Sequence, residues 1–170
     1  MPTTFTRLPS PVGELLLTAS ETGVTGIYFP SRDRMPKHQP AWAEDAGQGG
    51  ASAILAQARH QLIDYFAGTR TTFDVPLEPS GTEFEQRVWT ALRAIPYGTT
   101  TSYGAIARRL GNLRAPRAVG AANGKNPIPI IVPCHRVVGA KGELTGFGGG
   151  IDRKRWLLEH EGALIGLGQT

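Results

Sequence analysis

Apolar positions follow two different periods along this chain, and the change between them outlines its elements. Residues 5–8, 14–19 and 24–29 are short apolar-bearing runs separated by Pro9-Ser10-Pro11-Val12-Gly13 and Glu21-Thr22-Gly23. Such runs between turn-forming clusters predict three β-strands. Residues 30–50 carry Pro30, Pro36, Pro40, Gly47, Gly49 and Gly50 and read as a long loop. The period then becomes helical through Ile54, Leu55, Ala58, Leu62, Tyr65 and Phe66, with Gly68 as the stop. Residues 72–77 are expected to return as a strand, and Glu78-Pro79-Ser80-Gly81 reads as a linker.

The pattern after the linker is mainly helical. Thr82 and Glu85 form a capping box ahead of Phe84, Val88, Leu92 and Ile95, and Pro96-Tyr97-Gly98 ends that helix. Ser102 caps a short helix over 103–110 that stops at Gly111, and Pro116 suits the first turn of another reaching about Asn123-Gly124. Two short helices joined by a Gly-containing turn resemble a helix-turn-helix. Asn126-Pro127-Ile128-Pro129-Ile130-Ile131-Val132-Pro133 is too rich in proline for a helix and predicts an extended path. A Gly-rich loop, 146–150, leads into a last helix over 152–161 with Gly162 as its stop. The fold class is therefore α/β in the α+β sense. Residues 1–80 form a small N-terminal lobe with an antiparallel sheet, and residues 81–170 a mainly helical C-terminal domain.

Composition narrows the function. The 170 residues are 40% hydrophobic and 19% charged, enough for a packed core. There is no apolar run of membrane-spanning length and no basic start followed by an apolar stretch, so neither a membrane span nor a secretory signal is expected. A single cysteine excludes an internal disulfide and a cysteine-based zinc cluster, and a reducing, cytoplasmic setting fits. The net charge of +4 is divided unevenly: residues 1–80 hold six Lys/Arg against eight Asp/Glu, residues 81–170 twelve against six. No acidic residue lies between Glu85 and Glu143, whereas nine bases do, among them Arg114, Arg117, Lys125 and Arg136. A stretch without carboxylates suits a polyanion, and a solvated basic surface is the alternative.

The candidate chemistry sits in Pro133-Cys134-His135-Arg136. A thiol beside an imidazole and a guanidinium is expected to favour thiolate, the nucleophilic form. In a strand His135 would face away from the sulfur, so a Cys–His couple needs a bend after Pro133 or a bridging water. Glu161, in the last helical turn, stands where the dipole disfavours a carboxylate; it is either an ordinary surface charge or a partner for the imidazole. Asn126 can orient the network through its amide. The Gly-rich loop lacks the spacing of a dinucleotide or phosphate fingerprint, so no nucleotide cofactor is expected, and no metal.

The stretch from Asn126 to Val138, together with the Gly-rich loop and Leu157-Leu158-Glu159-His160-Glu161-Gly162, resembles the O6-alkylguanine-DNA alkyltransferases, also called methylated-DNA–protein-cysteine methyltransferases. Similarity runs over residues 84–162 and includes Arg117-Ala118-Val119-Gly120. The resemblance implies binding of duplex DNA through the helix-turn-helix in the minor groove and extrusion of an alkylated guanine. Cys134 would take the alkyl group from O6 irreversibly, so each molecule would react once. His135 would act on the thiol through a water, Glu161 would polarise His135, and Asn126 would shape the pocket. Tyr103 would assist nucleotide rotation, and Arg117 would enter the stack where the base left. Lys125 and Arg136, from the basic stretch, are further candidates for DNA contact. Family members commonly carry tyrosine where this chain has Phe147, which can stack on the base without offering a hydroxyl. Lys154 and backbone amides are candidate substitutes for stabilising the leaving group. A monomer without cofactors is expected, with cooperativity on DNA, adduct size and activity on O4-alkylthymine left open. Two other classes compete: a DNA-binding sensor that does no repair, and a multiple-turnover cysteine hydrolase.

Overall fold

A computed structural model describes residues 3–30, 42–111 and 115–163. Residues 31–41 of the predicted loop, and Arg114 of the basic stretch, lie outside the described residues. The fold is mixed α/β. It resolves into two compact units, Met1–Ser80 and Gly81–Thr170.

In the first unit, β1 (Thr4–Leu8), β2 (Leu15–Ala19) and β3 (Val24–Tyr28) form an antiparallel meander. A two-residue strand, β4 (Ala43–Glu44), adds in parallel to the free side of β1, giving the order β3-β2-β1-β4. That strand falls inside the stretch expected to be loop. The central β2 is buried along its whole length. Helix α1 (Gly50–Phe66) covers β1 and β2 with Leu55, Ala58, Leu62 and Tyr65, the i, i+3, i+4 set that the helical period marked. Gly68 ends it at φ 80°, a conformation that costs glycine little. Residues 72–77 do not form the expected strand and contribute one bridge, Leu77 to Val24. The reason is local: Gln61 of α1 accepts from the backbone N–H groups of Asp74 and Val75 at 3.1 and 3.3 Å, so a side chain replaces the ladder.

The second unit opens with α2 (Glu83–Arg93). The Thr82 hydroxyl accepts from the Glu85 N–H at 3.1 Å, and the Glu85 carboxylate accepts from the Thr82 N–H at 2.9 Å, completing the capping box. β5 (Thr101–Ser102) runs directly into α3 (Tyr103–Arg109), whose N-terminus the Ser102 hydroxyl caps. Helix α4 (Pro116–Gly124) starts on its proline and packs on α2 and α3. The Trp89 indole N–H donates to the Ala122 carbonyl at 2.9 Å, which fixes α2 against α4. β6 (Val137–Val138) pairs in parallel with β5, and α5 (Ile151–His160) closes the unit, with Glu161 as its C-cap.

The segment before Cys134 departs from the expected extended path. The Ile131 N–H donates to the Pro129 carbonyl at 2.9 Å, closing a γ-turn around Ile130 at φ 75°. The Val132 N–H returns to the Ile128 carbonyl at 2.9 Å, and the Cys134 N–H to the Val132 carbonyl at 2.8 Å. Prolines 127, 129 and 133 forbid helix and lack ladder donors, so the remaining N–H groups close on nearby carbonyls. A β-branched residue at positive φ costs about 1–3 kcal/mol. The Ile130 side chain is wholly buried, which returns about the same amount.

Candidate active site

Double turning brings Cys134 to the start of a 3-10 turn, Cys134–Arg136. This is the bend that a Cys–His couple requires. Cys134 is 5% exposed. The Asn126 amide holds the approach together: its N–H donates to the Val132 carbonyl at 2.8 Å while its oxygen accepts from the Ile128 N–H at 3.0 Å. Asn123, on α4, donates to the Cys134 carbonyl at 3.4 Å.

Behind the sulfur lies a buried network. His135 Nε2 meets Glu161 Oε2 at 2.8 Å. Arg136 grips the same carboxylate with two donors, Nε to Oε1 at 2.8 Å and Nη2 to Oε2 at 3.0 Å, and gives Nη1 to the Ile95 carbonyl at 2.8 Å. Its guanidinium also lies 5.6 Å from the Tyr97 ring centre. Burial alone would raise the Glu161 pKa, but hydrogen bonds from His135 and Arg136 and the guanidinium charge hold it well below the carboxylate range. Burial pushes the His135 pKa down, against the raising effect of Glu161. Arg136 already neutralises the carboxylate, so the imidazole stays neutral and donates Nε2–H to Glu161. Nδ1, buried and without a protein partner, then carries the lone pair.

The thiol itself departs from the expectation of a resting thiolate. Burial pushes its pKa up to about 11, and the Asn126 hydrogen bond and the Lys154 charge only partly oppose this. At pH 7 the resting group is then the thiol. His135 and Arg136, expected to supply positive charge, do not: one is neutral and the other is spent on Glu161. A base is needed to draw the proton off during reaction.

The other predicted residues fall into two groups. Tyr103, half-buried at the start of α3, meets the Thr145 hydroxyl at 2.9 Å. Arg117 is exposed in the first turn of α4, and Lys125 is exposed with Glu85 3.9 Å away. Phe147 is buried within the Gly-rich loop. Two assignments need correction. Arg136 is buried and bound to Glu161 and Ile95, so it braces the site and offers nothing to a DNA phosphate. Lys154 is buried with its ammonium on the carbonyls of Val137 and Thr145, at 2.6 and 2.9 Å, so it supports the site from within. Thr145, Asn123 and Tyr97 were missed, because nothing in their immediate sequence marks them. Among the described residues no cluster of His, Cys, Asp and Glu is placed to hold a metal ion. None of the described helices is long and apolar enough to cross a membrane.

Comparison with known proteins places the geometry. Residues 4–79 match the family described as 6-O-methylguanine DNA methyltransferase, ribonuclease-like domain, and residues 83–163 the DNA binding domain of the same description. The chain is 47% identical over 154 residues to a methylated-DNA–protein-cysteine methyltransferase of Methanosarcina acetivorans, covering 91% of this chain and 95% of the relative. It is 50% identical over 163 residues to the protein of that name from Mycobacterium tuberculosis, covering 92% and 91%. A crystal structure of the Mycobacterium tuberculosis O6-methylguanine methyltransferase superposes with a TM-score of 0.81 at 48% identity, over 95% of this chain and 93% of that one. A structure of the same organism's OGT in complex with DNA gives 0.81 over 94% and 93%.

Proposed function

The chain belongs to the methylated-DNA–protein-cysteine methyltransferases, DNA-repair proteins that move an alkyl group from DNA onto their own cysteine, and we propose that Cys134 is the acceptor, His135 its base and O6-alkylguanine in duplex DNA the substrate. The observation that carries this reading is the buried contact of His135 Nε2 with Glu161 at 2.8 Å, which leaves Nδ1 without a protein partner one residue from the lone thiol.

The thiol proton leaves toward Nδ1 through a water. Sγ attacks the alkyl carbon, the S–C bond forms as the C–O6 bond breaks, and the electron pair stays on the guanine. Net, the proton from sulfur replaces the alkyl group on the base, and a thioether remains. Glu161 favours the imidazolium that forms in passing, and Arg136 keeps Glu161 ionised. Asn126 shapes the approach to the sulfur. Tyr103, Arg117 and Phe147 act on the DNA side: the first helps turn the nucleotide, the second fills its place in the stack, the third lies against the base. Arg suits insertion because its guanidinium is flat and weakly hydrated. Lys125 meets phosphate. The protein works as a monomer in the cytoplasm.

Incubation with a duplex containing O6-methylguanine tests the reading by mass. The expected result is one methyl group on Cys134 and no second turnover; Cys134→Ser should bind the duplex and gain nothing. A wild type that binds the lesion and stays unlabelled would instead be a sensor.

A further inference from the structure

The transfer reaction gives the Thr145 side chain no part, yet its hydroxyl lies 2.9 Å from that of Tyr103. Both groups are held from behind. On the loop side, Leu144 packs against Val138 and Leu158, and the Thr145 carbonyl accepts from the Lys154 ammonium at 2.9 Å. The backbone that carries the hydroxyl is thus pinned to β6 and α5. On the helix side, the Ser102 hydroxyl caps α3 at the Ala105 N–H, and the Tyr103 ring lies beside α4, where a methyl group added at Gly120 would stand 3.7 Å from it. Tyr103 and Thr145 are both half-buried. Valine has the shape of threonine and would fill the same space, as phenylalanine would for tyrosine. Packing therefore does not account for two hydroxyls that meet there.

We propose that Thr145 is a positioning residue that acts through Tyr103: its hydroxyl anchors the phenol oxygen and donates to it, which turns the Tyr103 O–H outward to the nucleotide. The inference rests on the DNA-side role of Tyr103 proposed above. A hydroxyl carries one donor and two acceptor sites, so either member of the pair can donate to the other in the free protein. A nucleotide presents acceptors to Tyr103, namely phosphate oxygens and the ring nitrogens of its base. The phenol serves them only while its own hydrogen points away from Thr145. Thr145 then donates inward as Tyr103 donates outward, and two hydrogen bonds in series strengthen each other. Phe147 stands two residues further along the same loop, so the group that turns the nucleotide and the ring that lies against its base share one mount. Without the threonine hydroxyl the phenol keeps its hydrogen but loses its anchor, and has to be ordered at each encounter with DNA.

The test is a double-mutant cycle on the full chain, with Thr145→Val, Tyr103→Phe and both together. Its readout is the single-turnover rate of transfer from a duplex containing O6-methylguanine, beside iodoacetamide alkylation of Cys134 as a measure of the thiol that needs no DNA. Thr145→Val should slow transfer by about threefold to tenfold, the contribution of one neutral hydrogen bond, and leave the iodoacetamide rate at the wild-type value. Thr145→Ser, which keeps the hydroxyl, should transfer at close to the wild-type rate. In the Tyr103→Phe background Thr145→Val should cost nothing further, because the partner oxygen is gone. A wild-type transfer rate for Thr145→Val would overturn the proposal, and so would an equal loss with and without the Tyr103 hydroxyl. If the valine variant does not melt cooperatively, Thr145→Ala is taken through the same cycle. Loss of fold in both would overturn it too, since Thr145 would then serve stability alone. If wild-type protein binds the lesion duplex and gains no methyl group, the repair reading fails, while affinity for that duplex across the same cycle still tests the hydroxyl pair.

Discussion

Glu161 follows the last turn of α5, where the helix dipole disfavours a carboxylate by about 0.3–1 kcal/mol. That penalty is small beside what Arg136 supplies, a two-donor grip in a buried site. The pair has a pH signature. In the unfolded chain a glutamate titrates near about 4.3; in the fold Glu161 titrates lower, so its contribution is complete above that value and is lost as pH falls below it. His135 acts with the same sign from about pH 6.5 downward, because its folded pKa also lies below the unfolded one. Urea midpoints measured from neutral to acid pH should therefore fall on acidification. Glu161→Gln should flatten the limb below about pH 5 and destabilise the neutral protein by about 3 kcal/mol, since it leaves Arg136 buried without its counter-charge. A variant as stable as wild type at pH 7 would show that the guanidinium finds another partner. The positions of Cys134, His135 and Glu161 were legible in the chain. The charge states of the first two were not, because burial decides them and neighbouring residue types do not report it.

At the scale of elements, the α3–α4 pair and the Cys134–Arg136 turn are joined by a sheet of only two residues per strand. β5 and β6 share two residues each, yet they set Ser102, the cap of α3, beside the strand that leaves Cys134. Tyr103 and Arg117 then stand near the heads of α3 and α4, the two helices proposed above to meet DNA. This division predicts a kinetic split. Arg117→Ala should slow transfer from duplex O6-methylguanine by about tenfold or more, as part of the few kcal/mol of unstacking is no longer recovered. Its rate with free O6-benzylguanine, which needs no extrusion, should stay near wild type. Equal losses on both substrates would place Arg117 in the fold and not in the stack. Helix boundaries were legible because caps, prolines and glycines act within a turn of themselves. The 126–133 segment was not: its prolines ruled out helix, but the choice between a straight path and a double turn depended on burying Ile130 and on the Asn126 amide, both tertiary facts.

Across the whole molecule, charge is partitioned between the two units, with the excess of base in the second. Affinity for duplex DNA should therefore fall linearly with the logarithm of salt concentration, by about 0.9 in slope for each phosphate neutralised. Lys125→Ala should lower that slope by about 1 and weaken lesion-bearing and undamaged duplexes alike. Arg136, although it belongs to the same acid-free stretch, should not behave this way; its replacement should show in thermal stability and leave the salt slope unchanged. Equal slopes for wild type and the Lys125 variant would remove that lysine from the interface.

Read by itself, the chain determined whatever depends on neighbours a few residues apart: strand and helix periods, the Thr82 capping box, the proline veto on helix before Cys134, and the order in which thiol, imidazole and guanidinium occur. Tertiary structure alone decided which of those groups are charged and whom they touch. Arg136 and Glu161 stand 25 residues apart, and Lys154 reaches a carbonyl 17 residues away. The physical reason is that ionisation and hydrogen bonding depend on distance and water access in space, and folding sets both only after the chain has closed on itself.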